Sequence, residues 1–218
     1  MSDTAAPRRR LKEARPQQLL EAALELFAEK GFAATRAEEV AQRAGVSKGT
    51  LYLYYPSKEE LLKAVIRHNL SPLIAEGADL ADHFEGPMTE LLAALMRTWW
   101  ERVGRTPAGG IHKIMLSEVR NFPELASFYR QEVVLPGKRL LMRTLKLGIE
   151  RGEFRPVPPD EMVHVLFAPL IFMVLHKHSF GACGLNVDAV DPERVVTTHI
   201  ELVLRGLQSD AARTGGGR

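Results

Sequence analysis

Cysteine is almost absent from this chain, since Cys183 is the single cysteine among 218 residues. One thiol excludes an intramolecular disulfide, and no second cysteine stands at zinc-ligand spacing. His176 and His178 lie two positions apart on one predicted helix, so they point to different sides of it. The sequence therefore predicts no metal site and no cofactor, and it favours a cytoplasmic protein.

Long apolar runs are also missing. The first twenty residues, MSDTAAPRRRLKEARPQQLL, carry positive charges with no apolar stretch behind them, so no signal peptide is predicted. The longest apolar run, 165–175, is shorter than the roughly 18 to 20 residues that span a membrane. We expect no membrane association, and we interpret this run as a core or interface helix.

Alternating runs of β-branched residues are lacking, whereas apolar residues recur every three or four positions along most of the chain. This periodicity predicts an all-α fold of about nine helices. A hydrophobic share of 45% and a charged share of 26% are typical of a globular protein with a sizeable core. The predicted helices span about 16–30, 36–45, 48–55, 58–80, 88–103, 111–121, 123–151, 160–180 and 192–208.

Charge is unevenly distributed. Residues 1–67 hold 12 Lys and Arg against 9 Asp and Glu, whereas the rest of the chain holds 17 against 18. The arm 7–15 concentrates positive charge, which suits either a nucleic-acid contact or a solvated tail. We predict an N-terminal domain over 1–67, which includes the start of a connecting helix at 58–67. A larger domain over 68–208 and a disordered tail over 209–218 follow.

Residues 17–55 have the pattern of a helix-turn-helix: a helix, a turn, a short helix, a tight turn and a second short helix. Gly31 suits a left-handed helix end. Thr35 with Glu38, and Ser57 with Glu60, have the capping-box spacing, and Ser47 can cap the helix between them. The expected small core comprises Leu20, Ala23, Phe27, Val40, Ala41, Ala44, Val46 and Leu51.

The segment AALELFAEKGFAATRAEEVAQRAGVSKGTLYLYYPSKEELLKAVI, residues 22–66, resembles the DNA-binding domain of the tetracycline-repressor (TetR) family. The likeness includes a Leu-Phe pair before a Gly-Phe turn, an Ala-Gly-Val turn, Ser-Lys-Gly-Thr-Leu-Tyr, an aromatic pair and Ser-Lys-Glu. It implies an all-α homodimer whose third helix enters the DNA major groove. It also implies a C-terminal domain that binds a small effector, which separates the two reading heads and releases the operator.

The third predicted helix has residue types that suit DNA recognition. Lys48 can donate to guanine, Gly49 allows close approach of the backbone, and Thr50 can contact thymine. Tyr52 and Tyr54 have hydroxyls with the reach to contact phosphates. We also expect Lys58 to clamp a phosphate at a helix N-terminus, and Tyr55 to pack beneath the fourth helix. The full set of predicted DNA contacts is Arg36, Ser47, Lys48, Gly49, Thr50, Tyr52, Tyr54 and Lys58.

One position departs from the family pattern. Glu38 stands where many members carry an arginine that reaches toward DNA, and a carboxylate cannot replace that contact. We expect Glu38 to serve the capping box instead, and Arg36 or Arg43 to supply positive charge nearby. The arm residues Arg8 to Arg10 would extend into a minor groove or along the backbone.

The C-terminal part is rich in large apolar side chains at helical spacing, which suit a core and a pocket for a largely apolar effector. Predicted pocket residues are Met96, Trp99, His112, Met115, Phe122, Phe172 and His176. The last two long helices are expected to form a homodimer interface through Val165, Ala168, Phe172, Val195, Thr198, Leu202 and Leu207. A two-fold dimer implies a palindromic operator with half-sites roughly 34 Å apart, or a multiple of that.

No catalytic residue is assigned, because the sequence has neither a phosphate-cradling glycine loop nor an H-E-x-x-H pair. We therefore predict a ligand-responsive DNA-binding regulator, most consistent with a repressor, and not an enzyme. Two alternatives remain at this point: a regulator or activator that binds DNA without a ligand, and an all-α enzyme with an incidental helix-turn-helix.

Overall fold

The computed structural model describes residues 6–118, 120–183 and 191–209, with side chains for 15–118, 120–182 and 191–209. The predicted contacts of the basic arm and residues 210–218 of the predicted tail lie outside this part. The fold is all-α, as predicted, and each of the nine predicted helices is present. The helices are α1 (Ala6–Lys30), α2 (Ala37–Arg43), α3 (Lys48–Tyr54), α4 (Lys58–His83), α5 (Met88–Trp99), α6 (Gly109–Glu118), α7 (Pro123–Tyr129), α8 (Leu135–Glu150), α9 (Pro159–His178) and α10 (Pro192–Leu207).

Two π-helical turns modify the predicted helices. The turn Trp100–Gly104 follows α5 directly, and the turn Arg130–Val134 joins α7 to α8 without a break. Pro136 has no N–H to bond the carbonyl of Glu132, and the wider turn before it accommodates this loss. The predicted helix 123–151 is therefore continuous, and the π-helical turn in its first half changes the angular positions of the side chains that follow.

Three of the described helices contain a proline within their span. α1 begins ten residues before Pro16, whereas the prediction placed this proline in the first turn. Pro72 and Pro169 lie inside α4 and α9, which continue through them. A proline removes one backbone hydrogen bond, and in these long helices that loss does not end the helix.

Two hydrophobic cores lie along the molecule. The first joins α1, α2 and α3 to the start of α4 and to α6, and it buries the predicted residues Leu20, Ala23, Phe27, Val40, Ala41 and Leu51. The second joins α5, α8, α9 and α10. The first core also includes Ile111 and Met115 of α6. The reading head, which comprises α1, α2, α3 and the start of α4, is therefore packed directly on the larger part of the chain.

Two adjacent glycines place α6 close to both of its neighbours. A Cβ added to Gly110 would lie 2.8 Å from the Cβ of Ala28 in α1. A Cβ added to Gly109 would lie 3.0 Å from side-chain atoms of Val174 and His178 in α9. An added Cβ at Gly110 would overlap the methyl group of Ala28, and one at Gly109 would require its neighbours to shift.

Helix α9 is long and apolar enough to cross a membrane when judged by length and composition alone. Core helices of water-soluble proteins meet the same criterion. In this fold Leu166, Leu170 and Val174 are buried in the second core, whereas Val165 and Phe172 lie on an exposed face. The helix thus has one face in the core and an apolar face on the surface.

The two residues that follow α10 are hydrogen-bonded to the loop after α8. Phe154 and Gln208 form an isolated antiparallel bridge. Ser209 donates from its backbone N–H to the carbonyl of Glu153 at 2.9 Å, and from its hydroxyl to the carbonyl of Gly152 at 2.6 Å. Residue 209, which the prediction assigned to a disordered tail, is therefore hydrogen-bonded to the fold.

The contact between α6 and α1 predicts the effect of adding one methyl group. Gly110→Ala should lower the free energy of unfolding by about 1 to 3 kcal/mol, because Ala28 has no rotamer that could move its methyl away. Gly137→Ala in α8 is the control, since nothing lies within 4 Å of its added Cβ. It should be neutral or stabilising by up to about 1 kcal/mol. Equal denaturation midpoints for the two variants would contradict the close packing of α6.

Candidate functional site

The surface made by α2 and α3 is built on a tight turn. Gly45 adopts a left-handed conformation with φ of 67°, which ends α2 and starts the turn. Ser47 then caps α3, as predicted, and its Oγ accepts the N–H of Thr50 at 3.1 Å. The Thr50 hydroxyl is 2.9 Å from the same Ser47 oxygen. Leu51 is fully buried beneath the helix, so Lys48 and Gly49 lie on the exposed side.

The start of α2 differs from the prediction. Thr35 is buried, and its hydroxyl donates to the carbonyls of Leu26 at 3.2 Å and Gly31 at 2.7 Å. The capping position is Arg36, whose N–H donates to Glu39 at 3.0 Å. The predicted capping box of Thr35 with Glu38 is therefore wrong, because packing turns the threonine toward the end of α1.

Glu38 has a different partner, since its carboxylate forms an ion pair with Lys48 of α3. The hydrogen bond from Lys48 holds the pKa of Glu38 below its usual range, and the same bond raises the pKa of Lys48. Both side chains are about half exposed. Lys48, which we predicted to contact a base, is thus paired with a carboxylate on the neighbouring helix.

The aromatic residues of α3 divide between surface and core. Tyr52 is exposed, and the Lys48 ammonium lies 5.8 Å from the centre of its ring. Tyr54 and Tyr55 are half-buried against the first core. The Tyr55 hydroxyl lies 3.5 Å from the carbonyl of Pro16, so this residue packs toward α1, and burial raises its pKa. Leu53, which the sequence analysis did not select, is 85% exposed on this helix.

Lys58 does not stand free to clamp a phosphate. Its ammonium donates to the carbonyls of Phe32 at 2.8 Å, Ala33 at 3.2 Å and Thr35 at 3.1 Å. It also lies 4.5 Å from the centre of the Phe32 ring. Three donors matched to three carbonyls are the full capacity of an ammonium group. The structure corrects the prediction: Lys58 ties α4 to the turn between α1 and α2.

Two further basic residues of the head differ in their surroundings. Arg43 pairs with Glu29 at 2.8 Å and with Glu25 at 3.5 Å, both on α1. It therefore holds α2 to α1, whereas we expected it to supply positive charge to DNA. Arg36 is exposed at the start of α2.

Gly45 to Gly49 read G-x-S-x-G, which is the pattern of a nucleophile elbow in α/β-hydrolases. That elbow requires a strand before the serine. Here Ser47 follows α2 and caps α3, and its Oγ is hydrogen-bonded to Thr50. The pattern therefore marks a helix cap and not a catalytic serine.

A cavity of about 430 Å³ lies between α4, α5, α8 and α9 in the described part of the chain. Trp99 and Phe167 lie next to each other in its wall, with ring centroids 5.2 Å apart. Trp99 directly precedes one π-helical turn, and Tyr129, which also lines the cavity, directly precedes the other. The apolar lining includes Leu73, Ile74, Leu95, Trp99, Val133, Val134, Leu140, Leu141, Val163, Phe167, Ala168 and Ile171.

Of the predicted pocket residues, Trp99 and His112 line this cavity. Met96 and Met115 are buried instead in the second and first cores, respectively. Phe122 packs edge-on against Phe32 near the head, with centroids 5.0 Å apart. These three were wrong as pocket residues, because periodicity marks a buried face and does not separate a core from a cavity wall.

Phe172 and His176 were also wrong as pocket residues, since they lie on the outer face of α9. Phe172 is 62% exposed, and His176 lies between it and Phe180 with centroid distances of 6.4 and 5.6 Å. Val165 of α9 and Leu202 of α10 are exposed as well. Leu207, predicted to join this surface, is fully buried.

His112 and Tyr129 form a polar pair in the cavity wall. The Tyr129 hydroxyl lies 2.5 Å from Nδ1 of His112, although 17 residues separate the two. Burial lowers the pKa of His112 to about 4, so its ring is neutral at physiological pH, and burial raises the pKa of Tyr129. No signal in the sequence singles out Tyr129, because the pair exists only once α6 meets α7.

The chain matches two family models. Residues 19–65 match the model described as "Bacterial regulatory proteins, tetR family", and residues 85–198 match "Tetracyclin repressor-like, C-terminal domain". A curated relative, the HTH-type transcriptional repressor KstR2 of Mycobacterium tuberculosis, is 31% identical over 148 residues. That alignment covers 67% of this chain and 72% of the relative.

Solved structures share the fold. A transcriptional regulator from Saccharomonospora viridis in complex with choline has a TM-score of 0.75 at 18% identity, covering 91% of this chain and 99% of its own. FadR from Bacillus subtilis in complex with stearoyl-CoA has a TM-score of 0.66 at 22% identity, covering 88% of this chain and 99% of its own.

The three hydrogen bonds of Lys58 predict a loss of stability. Lys58→Met should lower the free energy of unfolding by about 2 kcal/mol, because the carbonyls of the turn lose charged donors. Lys30→Met is the control, since Lys30 pairs only with Glu39 at the surface, and it should change stability by less than about 0.5 kcal/mol. Chemical denaturation measures both variants. A Lys58→Met protein as stable as the control would argue against the internal role.

Proposed function

The chain belongs to the tetR family of bacterial regulatory proteins, and we propose that it binds a palindromic operator as a homodimer, with α3 in the major groove. It is a ligand-responsive, DNA-binding transcriptional repressor, and its relatives are transcriptional regulators. The observation that carries the proposal is the capped, exposed N-terminus of α3. A cytoplasmic location suits this role.

We propose a reading surface made by the exposed residues of α2 and α3. Lys48, Gly49 and Thr50 approach base edges from the first turn of α3, whereas Ser47 stands at its cap. Arg36 and Tyr52 are exposed on the flanks and contact phosphates, and Tyr54 contacts them from a half-buried position. Leu53 joins the set because a leucine that is 85% exposed on a reading helix can pack against thymine methyl groups.

The ion pair of Lys48 with Glu38 affects how this surface works. A guanine competes with the Glu38 carboxylate for the ammonium of Lys48, and Glu38 faces the DNA phosphates as an anion. Contacts with a wrong sequence do not compensate for the weakened ion pair and this repulsion. We therefore propose that Glu38 weakens binding to non-operator DNA and so raises the specificity ratio.

The first experiment is selection of genomic fragments by the purified full-length protein, followed by fluorescence anisotropy on the selected site. Lys48→Ala should reduce the ratio of operator to random-DNA affinity by about tenfold, as expected for one good base contact. Lys146→Ala, on the exposed face of α8, is the control and should leave the ratio unchanged. An equal loss on both DNAs would assign Lys48 to phosphate contact only.

Glu38→Gln belongs to the same experiment. Loss of the carboxylate should tighten binding to random DNA more than binding to the operator, because Lys48, freed from Glu38, can contact phosphates on any sequence, whereas on the operator it already bonds a guanine. Unchanged binding to random DNA would contradict the role given to Glu38.

We propose that the homodimer forms through α9 and α10. Support comes from the exposed Val165, Phe172 and Phe180 on the α9 side and Leu202 on α10, which together give an apolar surface beside a well-packed core. Exposed large apolar side chains that cluster on two neighbouring helices are typical of an interaction surface. A two-fold axis through it would place two reading heads on successive half-sites of one operator.

Phe172→Glu should dissociate the dimer, because a two-fold interface brings two added carboxylates into one apolar contact. Sedimentation velocity should show a monomer, and operator affinity should fall by more than tenfold. Leu80→Glu is the control, since Leu80 is an exposed leucine on α4, away from this surface. A variant that remains dimeric would refute the proposed interface.

We propose that the cavity beside Trp99 holds a small, largely apolar effector. The predominantly apolar lining supports this, as does the presence of choline or stearoyl-CoA in two structures of the same fold. Helix α6 supplies His112 to the cavity and packs against α1 through Gly110. A ligand that displaces α6 would therefore act on the reading head through direct contact.

A further inference from the structure

His112 is a buried polar side chain in the mainly apolar wall of the cavity. His112 is only 7% exposed, and its Nε2 is buried without a hydrogen-bond partner in the described structure. Its ring also contacts Trp99, with centroids 5.4 Å apart. A buried nitrogen without a partner destabilises the protein unless something else bonds it. The ring of His112 lines the cavity, so a ligand that fills this space lies against the ring.

The pair of His112 and Tyr129 retains one donor in either tautomer. If the phenol donates to Nδ1, Nε2 carries the ring proton and can donate to a ligand. If Nδ1–H donates to the phenol oxygen instead, the phenol proton can donate to a ligand. In both arrangements the pair offers a hydrogen-bond donor that bears no charge, since the neutral ring is the stable form in this site.

The other charged residues that line the cavity already have partners. Lys138 pairs with Asp160 at 2.7 Å, and Glu76 pairs with Arg102. Thr98 supplies a neutral hydroxyl, and His164 of α9 is exposed at the margin. Among the described lining residues, then, the one lysine, Lys138, is already paired with Asp160, so a carboxylate in the cavity meets no unpaired lysine or arginine. Its charge is compensated only if it displaces Asp160 from Lys138.

We propose that the effector presents an uncharged oxygen acceptor, such as a ketone, ester or alcohol, to the His112–Tyr129 pair, and that the pair discriminates against a carboxylate. The inference rests on the proposed function, because it assigns a ligand class to the same cavity. The apolar lining holds the rest of the molecule, and the single polar pair sets its orientation.

The test uses three eight-carbon probes, octan-2-one, octan-1-ol and octanoate, with the full-length protein at pH 8. Trp99 lines the cavity, so its fluorescence reports binding directly, and Trp99→Phe should lose most of the signal. The ketone and the alcohol should bind at least about tenfold more tightly than octanoate, because only the anion must be desolvated without a partner. Octanoate binding as tightly as the ketone would overturn the inference.

Substitutions then locate the discrimination. Tyr129→Phe and His112→Leu should each weaken the ketone by about fivefold or more while leaving octanoate unchanged. His112→Gln keeps a neutral donor and should retain the preference for the ketone, and it also serves where His112→Leu does not fold. Thr98→Val is the matched control, since it removes a lining hydroxyl outside the pair. Unchanged ketone affinity in Tyr129→Phe, and in His112→Leu where that variant folds, would refute the role of the pair, as would loss of the ketone preference in His112→Gln.

The two levels of failure are distinguishable. If no probe alters Trp99 fluorescence or thermal stability, the cavity is not an effector site, and the inference falls with that part of the proposed function. If the probes bind but octanoate is preferred, the effector site stands and only the assigned ligand class is wrong.

Discussion

The close packing of α6 is the constraint on which the rest of the structure depends. Gly109 and Gly110 allow this helix to approach α9 on one side and α1 on the other. Two residues later His112 reaches the cavity wall, and Met115 enters the core of the reading head. A single short helix therefore contacts both the cavity and the core of the reading head, and an added Cβ at either glycine would force its neighbours to shift.

Basic side chains of the kind that a sequence suggests for DNA contacts instead stabilise the reading head through internal hydrogen bonds and ion pairs. Lys58 bonds the turn after α1, and Arg43 pairs with acids on α1. Lys30 pairs with Glu39 at 2.6 Å, and Lys48 pairs with Glu38. These four basic side chains are thus engaged within the protein. Specific recognition depends on the exposed turn of α3 more than on the overall charge.

Local signals predicted much of this fold. Ser47 and Ser57 cap α3 and α4, since each lies directly before a helix and accepts a backbone N–H within three residues. Gly31 is left-handed at the end of α1, as expected. The predicted capping role of Thr35 was wrong, because the same hydroxyl that can cap a helix can also donate to carbonyls once packing buries it. The π-helical turns were not predicted, because they depend on neighbouring helices and not on a local pattern.

The sequence by itself determined the all-α class, the helix-turn-helix and the exposure of Lys48, Gly49 and Tyr52 on α3, because periodicity, caps and glycine turns act within a few residues. Only the tertiary structure decided which large apolar side chains form the cavity. Met96 and Met115 lie in the cores, Phe172 lies on the surface and Trp99 lies in the cavity wall. All four belong to helical patterns of apolar residues, and those patterns do not distinguish these three environments. Tyr129 met His112 across 17 residues, and Lys58 met the α1 turn across more than 20, since such contacts exist only when distant helices pack.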